Sequence, residues 1–440
     1  MKVERRVAIL FQRAPLPIHS GADLRVVEML DLLASKYDFV ALFLLNYPTP
    51  QTRAFCRKRN ITIRFIFPRN GIYSWLTFIK HFLDAHFQNL PWLNPIRLLR
   101  KLGIKLFYPR PKQKKINDPF WSLCDDLVAL KVAECVHKDQ IDVIIVEYIW
   151  LTGCVRHLPS GVTKLIDTID VVHLRQRSFA EQGQNEEEFG LVDEKKECAA
   201  LAQFDGIIAI QSKEKEIFRQ MMPDKRVITV PCGGNALFLD QYGPKPILGG
   251  DVIARKLVSK CNGMRFLFLG GAHIGNLIAL RHLVEHVWPR IQESSVAEHV
   301  SLIVAGDVCK SSCLNNRKLS RVISLGYVDR TDWLYDLVDV VVNPTFSGSG
   351  LKIKTVDALA RGKLVITTPI GIEGILPPVD KCCLIAHTPD QFYELTLGIL
   401  MGQIDTSSIM ENLTNYVENN FTPDVQFCEL LEYIDGVTIL

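Results

Sequence analysis

The chain has 440 residues, 48% of them hydrophobic and 22% charged, with a formal net charge of +3. That balance belongs to a globular protein, and the length allows two or three domains. So small a net charge gives no footing for nucleic acid as a partner, and no apolar run nears the ~18 residues that span a bilayer.

The apolar run after Met1-Lys-Val-Glu-Arg-Arg, Val7–Phe11, is too short for a signal peptide and is closed by Gln12 and Arg13. It reads as a first strand, and the protein as cytoplasmic, either free or peripheral on the cytoplasmic face of a membrane. Further strands are expected at Phe39–Leu45 and Ile61–Phe67. A departure follows. Gly71–Lys115 is rich in aromatics, and Arg97–Lys115 holds eight Lys/Arg and no acid. It suits an anionic membrane surface or a polyphosphorylated acceptor, or is a solvated helical excursion. No nucleic-acid module accompanies it.

Strands resume at Val143–Glu147, Lys164–Asp167, Gly206–Ile210 and Val227–Val230. Just after the second of these comes Asp167-Thr-Ile-Asp-Val-Val-His173. Asp170 and His173 are the candidate catalytic residues there, able to orient an acceptor hydroxyl or a donor sugar. The alternative is a polar loop that caps Arg175 and Arg177. Pro231-Cys-Gly-Gly-Asn235 and the Gly/Pro-rich stretch Tyr242–Gly250 then read as a linker.

The strand series returns at Arg265–Gly270, Val300–Ala305, Arg321–Leu325, Val340–Asn343, Leu364–Thr368 and Cys383–Ala386. Runs apolar at every position indicate strands covered on both faces, and alternation with helices argues a parallel, doubly wound sheet. The expected class is α/β, with two Rossmann-like domains facing each other across a cleft: residues 1–235 and 236–420. The last stretch, 421–440, is long enough for a helix that could pack back on the first domain.

The segment from Val340 to Gly374 says most about chemistry. A buried strand runs into Ser347-Gly-Ser-Gly350, and a helix at about Leu351–Ala360 opens from it. Free N–H groups and the positive end of a helix dipole meet there, a place for a diphosphate. The donor-binding candidates are therefore Ser347, Gly348, Ser349, Gly350 and Leu351, with Lys352 and Lys354 adding positive charge. Glu373, between two glycines, belongs either to the same pocket or to a turn. The 12 cysteines show no disulfide-like spacing, and the lone pair Cys309/Cys313 lacks the further ligands of a zinc site. Reduced thiols are expected throughout.

These motifs, in this order, resemble glycosyltransferase family 4, retaining enzymes of GT-B fold. The likeness runs through Pro15–Arg25, Ala209–Glu214 with Val230–Gly234, Phe268–Ala272 with Asn276 and Trp288-Pro289, Gly326–Asp329 and Pro344–Gly362. It implies that the second domain binds a nucleotide-sugar donor and the first an acceptor: a glycan, a lipid-linked or another cell-envelope acceptor in polysaccharide biosynthesis. Asp357 stands where the family's carboxylate holds the ribose hydroxyls. Ser349 stands where many members carry a glutamate beside the donor sugar. Many members clamp the diphosphate with an Arg and a Lys after the first donor-domain strand. This chain has Ala272-His-Ile-Gly-Asn276 instead, which by elimination leaves Lys352 or Lys354.

Gly21 lets the first loop approach a phosphate closely. Arg25 either faces the cleft as an acceptor-binding residue or pairs with Glu28. No metal and no cofactor beyond the co-substrate are expected, because a lysine can neutralise the phosphates and no Asp-x-Asp ends a strand. The resemblance further implies same-face attack, with the leaving phosphate taking the acceptor's proton. A non-catalytic glycan- or partner-binding protein on the same scaffold, or a nucleotide-sugar epimerase, are the alternatives.

Overall fold

A computed structural model describes residues 3–16, 21–66, 123–180, 191–231, 249–315, 319–328, 331–346 and 351–436. The first sheet comprises β1 (Val3–Phe11), β2 (Tyr37–Leu44), β3 (Thr62–Phe65), β4 (Val143–Glu147), β5 (Thr163–Asp167), β6 (Gly206–Ala209) and β7 (Arg226–Thr229), in the order β3-β2-β1-β4-β5-β6-β7. The second comprises β8 (Met264–Leu269), β9 (Val300–Ala305), β10 (Val322–Gly326), β11 (Val340–Asn343), β12 (Leu364–Thr367) and β13 (Leu384–Ile385), in the order β10-β9-β8-β11-β12-β13. Every neighbouring pair is parallel. Each expected strand is present, and β4, β9 and β11 match end to end.

The reason is visible in the second sheet. Phe266, Phe268, Leu302, Val304, Val340 and Val342 pack into one core layer. Leu267, Ile303, Ala305 and Val341 pack into the layer on the other face. Successive side chains of a strand point to opposite faces, so a sheet covered on both sides demands an apolar residue at every step. Each sheet has one switch point, where neighbouring strands carry the chain in opposite directions: β1/β4 in the first and β8/β11 in the second. Ligands of such folds bind at the carboxyl ends of the strands at that point.

The chain divides into two compact units, Met1–Val230 with Glu429–Leu440, and Pro231–Cys428. The helices that position the sites are α1 (Gly21–Lys36), α2 (Val172–Ala180) and α3 (Glu194–Leu201) in the first unit. In the second they are α4 (Ile274–His282), α5 (Asp332–Leu337) and α6 (Ile353–Ala360). A last helix, α7, spans Cys428–Asp435. It is bonded to the first sheet: Glu429 Oε2 accepts from Lys215 Nζ at 2.6 Å and from Thr229 N at 3.0 Å. The Tyr37 hydroxyl donates to Asp435 at 3.0 Å. Tyr433 comes so close to Gly206 that an added Cβ would lie 2.6 Å from its hydroxyl, so β6 needs glycine there.

One expectation is corrected. Cys124 and Cys154 form a disulfide, with Cα atoms 5.4 Å apart and both side chains buried. It ties the segment before the helix Asp126–Lys138 to the turn Ile149–Val155 that follows β4. Spacing could not reveal it, because the two segments meet only once β4 is in its sheet. Among the described residues no helix is long and apolar enough to cross a membrane. The basic segment Arg97–Lys115 lies outside the described residues.

Candidate active site

At the β8/β11 switch point two loops diverge. After β8, His273 caps α4, its Nδ1 accepting from Gly275 N at 3.3 Å. Asn276, in the first turn, donates from Nδ2 to Gly271 O at 3.2 Å, which turns its Oδ1 outward from that bond. This turn rests on Gly306, where φ is +97° and a Cβ would stand 2.2 Å from Gly270 O; only glycine fits. After β11, a buried polar network fixes the chain's exit. Asn343 donates to Thr355 Oγ1 at 2.8 Å and accepts from the Thr345 hydroxyl at 2.6 Å, and Thr367 Oγ1 donates to Asn343 O at 3.2 Å.

α6 then starts at Ile353, two residues later than expected, and no side chain caps it. Lys352 is the residue at its N-cap position, and Leu351 precedes it, both half-buried. Lys354 reaches across to the other loop. Its Nζ donates to Asn276 Oδ1 at 2.8 Å and lies 4.7 Å from the centroid of the Phe268 ring. Burial, with the charge of Lys352 added, pushes its pKa down to about 7. Among the described residues no carboxylate pairs with it. Its partners are a neutral amide and the face of a ring, which favour a cation only weakly. An arriving anion would supply the missing charge.

Asp357 sits one turn further along α6, half-buried, with Arg361 Nε 3.4 Å from its Oδ1. Its charge adds to burial in pushing the Tyr335 hydroxyl of α5 well above its ordinary pKa. Glu373 ends the turn Ile370–Ile372, its N–H donating to Ile370 O at 3.2 Å. Ser347, Gly348, Ser349 and Gly350 lie outside the described residues.

In the first unit, Gly21 opens α1, and Arg25 one turn on is only 1% exposed. Its Nε and Nη2 donate to Asp167 at 2.5 and 3.0 Å, and Nη1 donates to Val230 O at 2.7 Å. The guanidinium thus ties α1 to the ends of β5 and β7. This corrects the acceptor-binding expectation: the group is turned into the core, where Asp167 neutralises it. Glu147, at the end of β4, is fully buried near Asp167, and burial raises its carboxyl pKa well above the ordinary range.

Asp170 and His173 come together at the start of α2. The backbone there is strained: Tyr148 has φ +77° and Ile169 φ +64°, left-handed values that non-glycine residues adopt at a cost of about 1–3 kcal/mol each. Asp170 pairs with Arg175, which also donates to the Tyr148 hydroxyl. His173 takes a different partner: its Nδ1 lies 2.7 Å from Oε2 of Glu197, a fully buried residue of α3. That hydrogen bond outweighs burial and raises the histidine's pKa above its ordinary value. Glu197 was not legible in the sequence, since it stands 24 residues away on another helix. Asn343, Thr345 and Thr355 were missed as well, although a polar residue closing the apolar run of β11 was a signal.

Residues 263–401, which contain β8, α4, β11 and α6, match the family model described as glycosyl transferases group 1. The chain carries a group 1 glycosyltransferase domain. It is an enzyme of sugar transfer, and its two parallel-sheet units have the GT-B fold. Among solved structures it resembles Anabaena HepE in complex with UDP and glucose, with 13% identity, a TM-score of 0.62, and coverage of 98% of this chain and 100% of that one. Sucrose-phosphate synthase from Thermosynechococcus elongatus gives 14% identity and a TM-score of 0.62 over 99% of this glycosyltransferase and 100% of that chain. A glycosyltransferase from Rickettsia africae gives 13% and 0.59 over 99% and 98%. No curated protein sequence matches the chain.

Proposed function

We propose that this glycosyltransferase is a retaining enzyme that takes its sugar from a nucleoside diphosphate sugar and grips the diphosphate with Lys354 and the uncapped start of α6. The observation that carries this reading is the position of the Lys354 ammonium, 2.8 Å from Asn276 Oδ1. A lysine in the first turn of α6 delivers its charge to the loop after β8, where this chain has Ala272-His-Ile-Gly-Asn276 and no Arg or Lys of its own. Structures of HepE with UDP and with UDP-glucose lend support to a nucleotide-sugar donor.

The chemistry follows from charge. As the glycosidic bond breaks, negative charge builds on the β-phosphate, and preorganised donors stabilise it there. Lys354 and the N–H groups that open α6 serve that purpose. Asp357 is the carboxylate that accepts from the ribose hydroxyls. The acceptor hydroxyl attacks on the face from which the phosphate leaves, and the phosphate takes its proton. Asp170 and His173 of the first unit orient the acceptor hydroxyl or the donor sugar. The acceptor is a glycan or a lipid-linked molecule of the cell envelope, handled in the cytoplasm, with Arg97–Lys115 as a contact to anionic lipid.

Calorimetric titration with UDP and GDP tests the donor reading directly; no binding of any nucleoside diphosphate at millimolar concentration rejects it. A screen of nucleotide sugars by thermal shift then selects base and sugar. Analysis of the product's anomeric configuration decides retention.

A further inference from the structure

Glu197 is a carboxylate at 0% exposure. A buried charge is costly unless donors surround it. Three do: the N–H of Val172 at 3.0 Å, the N–H of His173 at 2.9 Å, and the His173 ring at Nδ1, 2.7 Å away. The two main-chain donors open α2, where an anion also meets the positive end of the helix dipole. They would suffice to anchor the helix. The ring nitrogen is a third and separate engagement, and it fixes the imidazole relative to the helix that bears it.

We propose that Glu197 is a positioning residue for sugar transfer: it keeps the neutral His173 ring protonated at Nδ1 and leaves Nε2 as the acceptor that a sugar hydroxyl meets. This rests on the reading of His173 as part of the active site. Nε2 has no partner among the described residues, and the His173 side chain is 14% exposed. A neutral imidazole has one donor and one acceptor nitrogen, and the bond made by the first decides the second. A carboxylate accepts only, so the proton faces Glu197 and the lone pair faces away.

The charges around the ring agree. Glu194 and Glu197 on α3 favour its protonated form, while Arg177 on α2 and burial oppose it. The neighbouring Asp170–Arg175 pair is internally neutral.

Imidazole nitrogen NMR of the full chain reads the tautomer directly and needs no variant. The expected result is Nδ1–H in the neutral ring, with a titration midpoint that falls in Glu197→Gln, which keeps the volume and removes the charge. An Nε2–H ring, or a midpoint that does not move, overturns the proposal. UDP release from UDP-glucose reads the role in turnover. At metal-bound histidines the loss of such an outer partner costs about 10- to 100-fold in affinity or activity, and a fall of that order in kcat is expected here. Glu197→Gln should lose that much in the wild-type background and nothing more in a His173→Ala background. An equal loss in both backgrounds marks Glu197 as merely structural and overturns its positioning role. Full turnover by His173→Ala overturns the role of both residues and leaves the tautomer result standing on its own.

Discussion

The two switch-point neighbourhoods differ in how they handle charge. In the first unit the named charges at the strand ends are matched within the protein: Arg25 with Asp167, Arg13 with Asp23, and Arg175 with Asp170. In the second, the cation at the heart of the site meets, among the described residues, only an amide and a ring. A self-neutralised cluster holds shape and is content without a ligand. An uncompensated buried cation stores a demand for an anion. The contrast assigns different work to the two regions, and it can be broken experimentally.

The largest effect is expected in the first unit. Arg25→Ala leaves Asp167 charged and buried, which costs about 3–5 kcal/mol of folding stability in urea unfolding. A loss below 1 kcal/mol would show that Asp167 escapes by taking up a proton, as its neighbour Glu147 is already pushed to do. Next comes the Cys124–Cys154 disulfide. Replacing both residues by serine should cost about 2–4 kcal/mol, read by the same measurement, because the crosslink restricts the unfolded chain.

In the second unit the expected effect is on binding. Lys354→Ala should weaken UDP affinity by about 1–3 kcal/mol, the range for a lost charged hydrogen bond, with little change in stability. Unchanged affinity moves the clamp to Lys352 or elsewhere. The same lysine predicts a pH dependence. Its pKa in the free protein is about 7, and a bound diphosphate raises it, so binding above pH 7 takes up a proton. Affinity should be flat below pH 7 and fall by up to about tenfold per pH unit above it. Titrations in buffers of different ionisation heat detect the proton uptake, and Lys354→Ala should abolish it.

The smallest effect concerns His173. Its pKa is raised in the folded state, so its contribution to stability is fully present below the unfolded value of about 6.5 and is lost as pH rises through the folded value. The difference in unfolding free energy between wild type and His173→Ala should shrink over that window. A difference independent of pH would mean that the Glu197 contact does not depend on ring charge.

Much of the fold was legible because parallel strands covered on both faces write themselves as unbroken apolar runs. Val340–Asn343 and Val300–Ala305 could be bounded to the residue for that reason. The two lysines after the glycine-serine loop were legible as candidates, but not which of them reaches the other loop, since Lys354 and Asn276 are 78 residues apart. Arg25 was left between the cleft and Glu28 because its partner Asp167 is 142 residues away.

The amino-acid order by itself determined two parallel sheets, a helix opening after β11, and a short list of charged residues near strand ends. Those features depend on local periodicity and on the hydrogen-bonding needs of a helix start, which a contiguous segment expresses alone. Only the tertiary structure decided the pairings: Lys354 with Asn276, Arg25 with Asp167, His173 with Glu197, Cys124 with Cys154. Partners of that kind are set by which strand ends become neighbours, and in sheets ordered β3-β2-β1-β4 and β10-β9-β8-β11 the neighbours at the switch point are far apart along the chain.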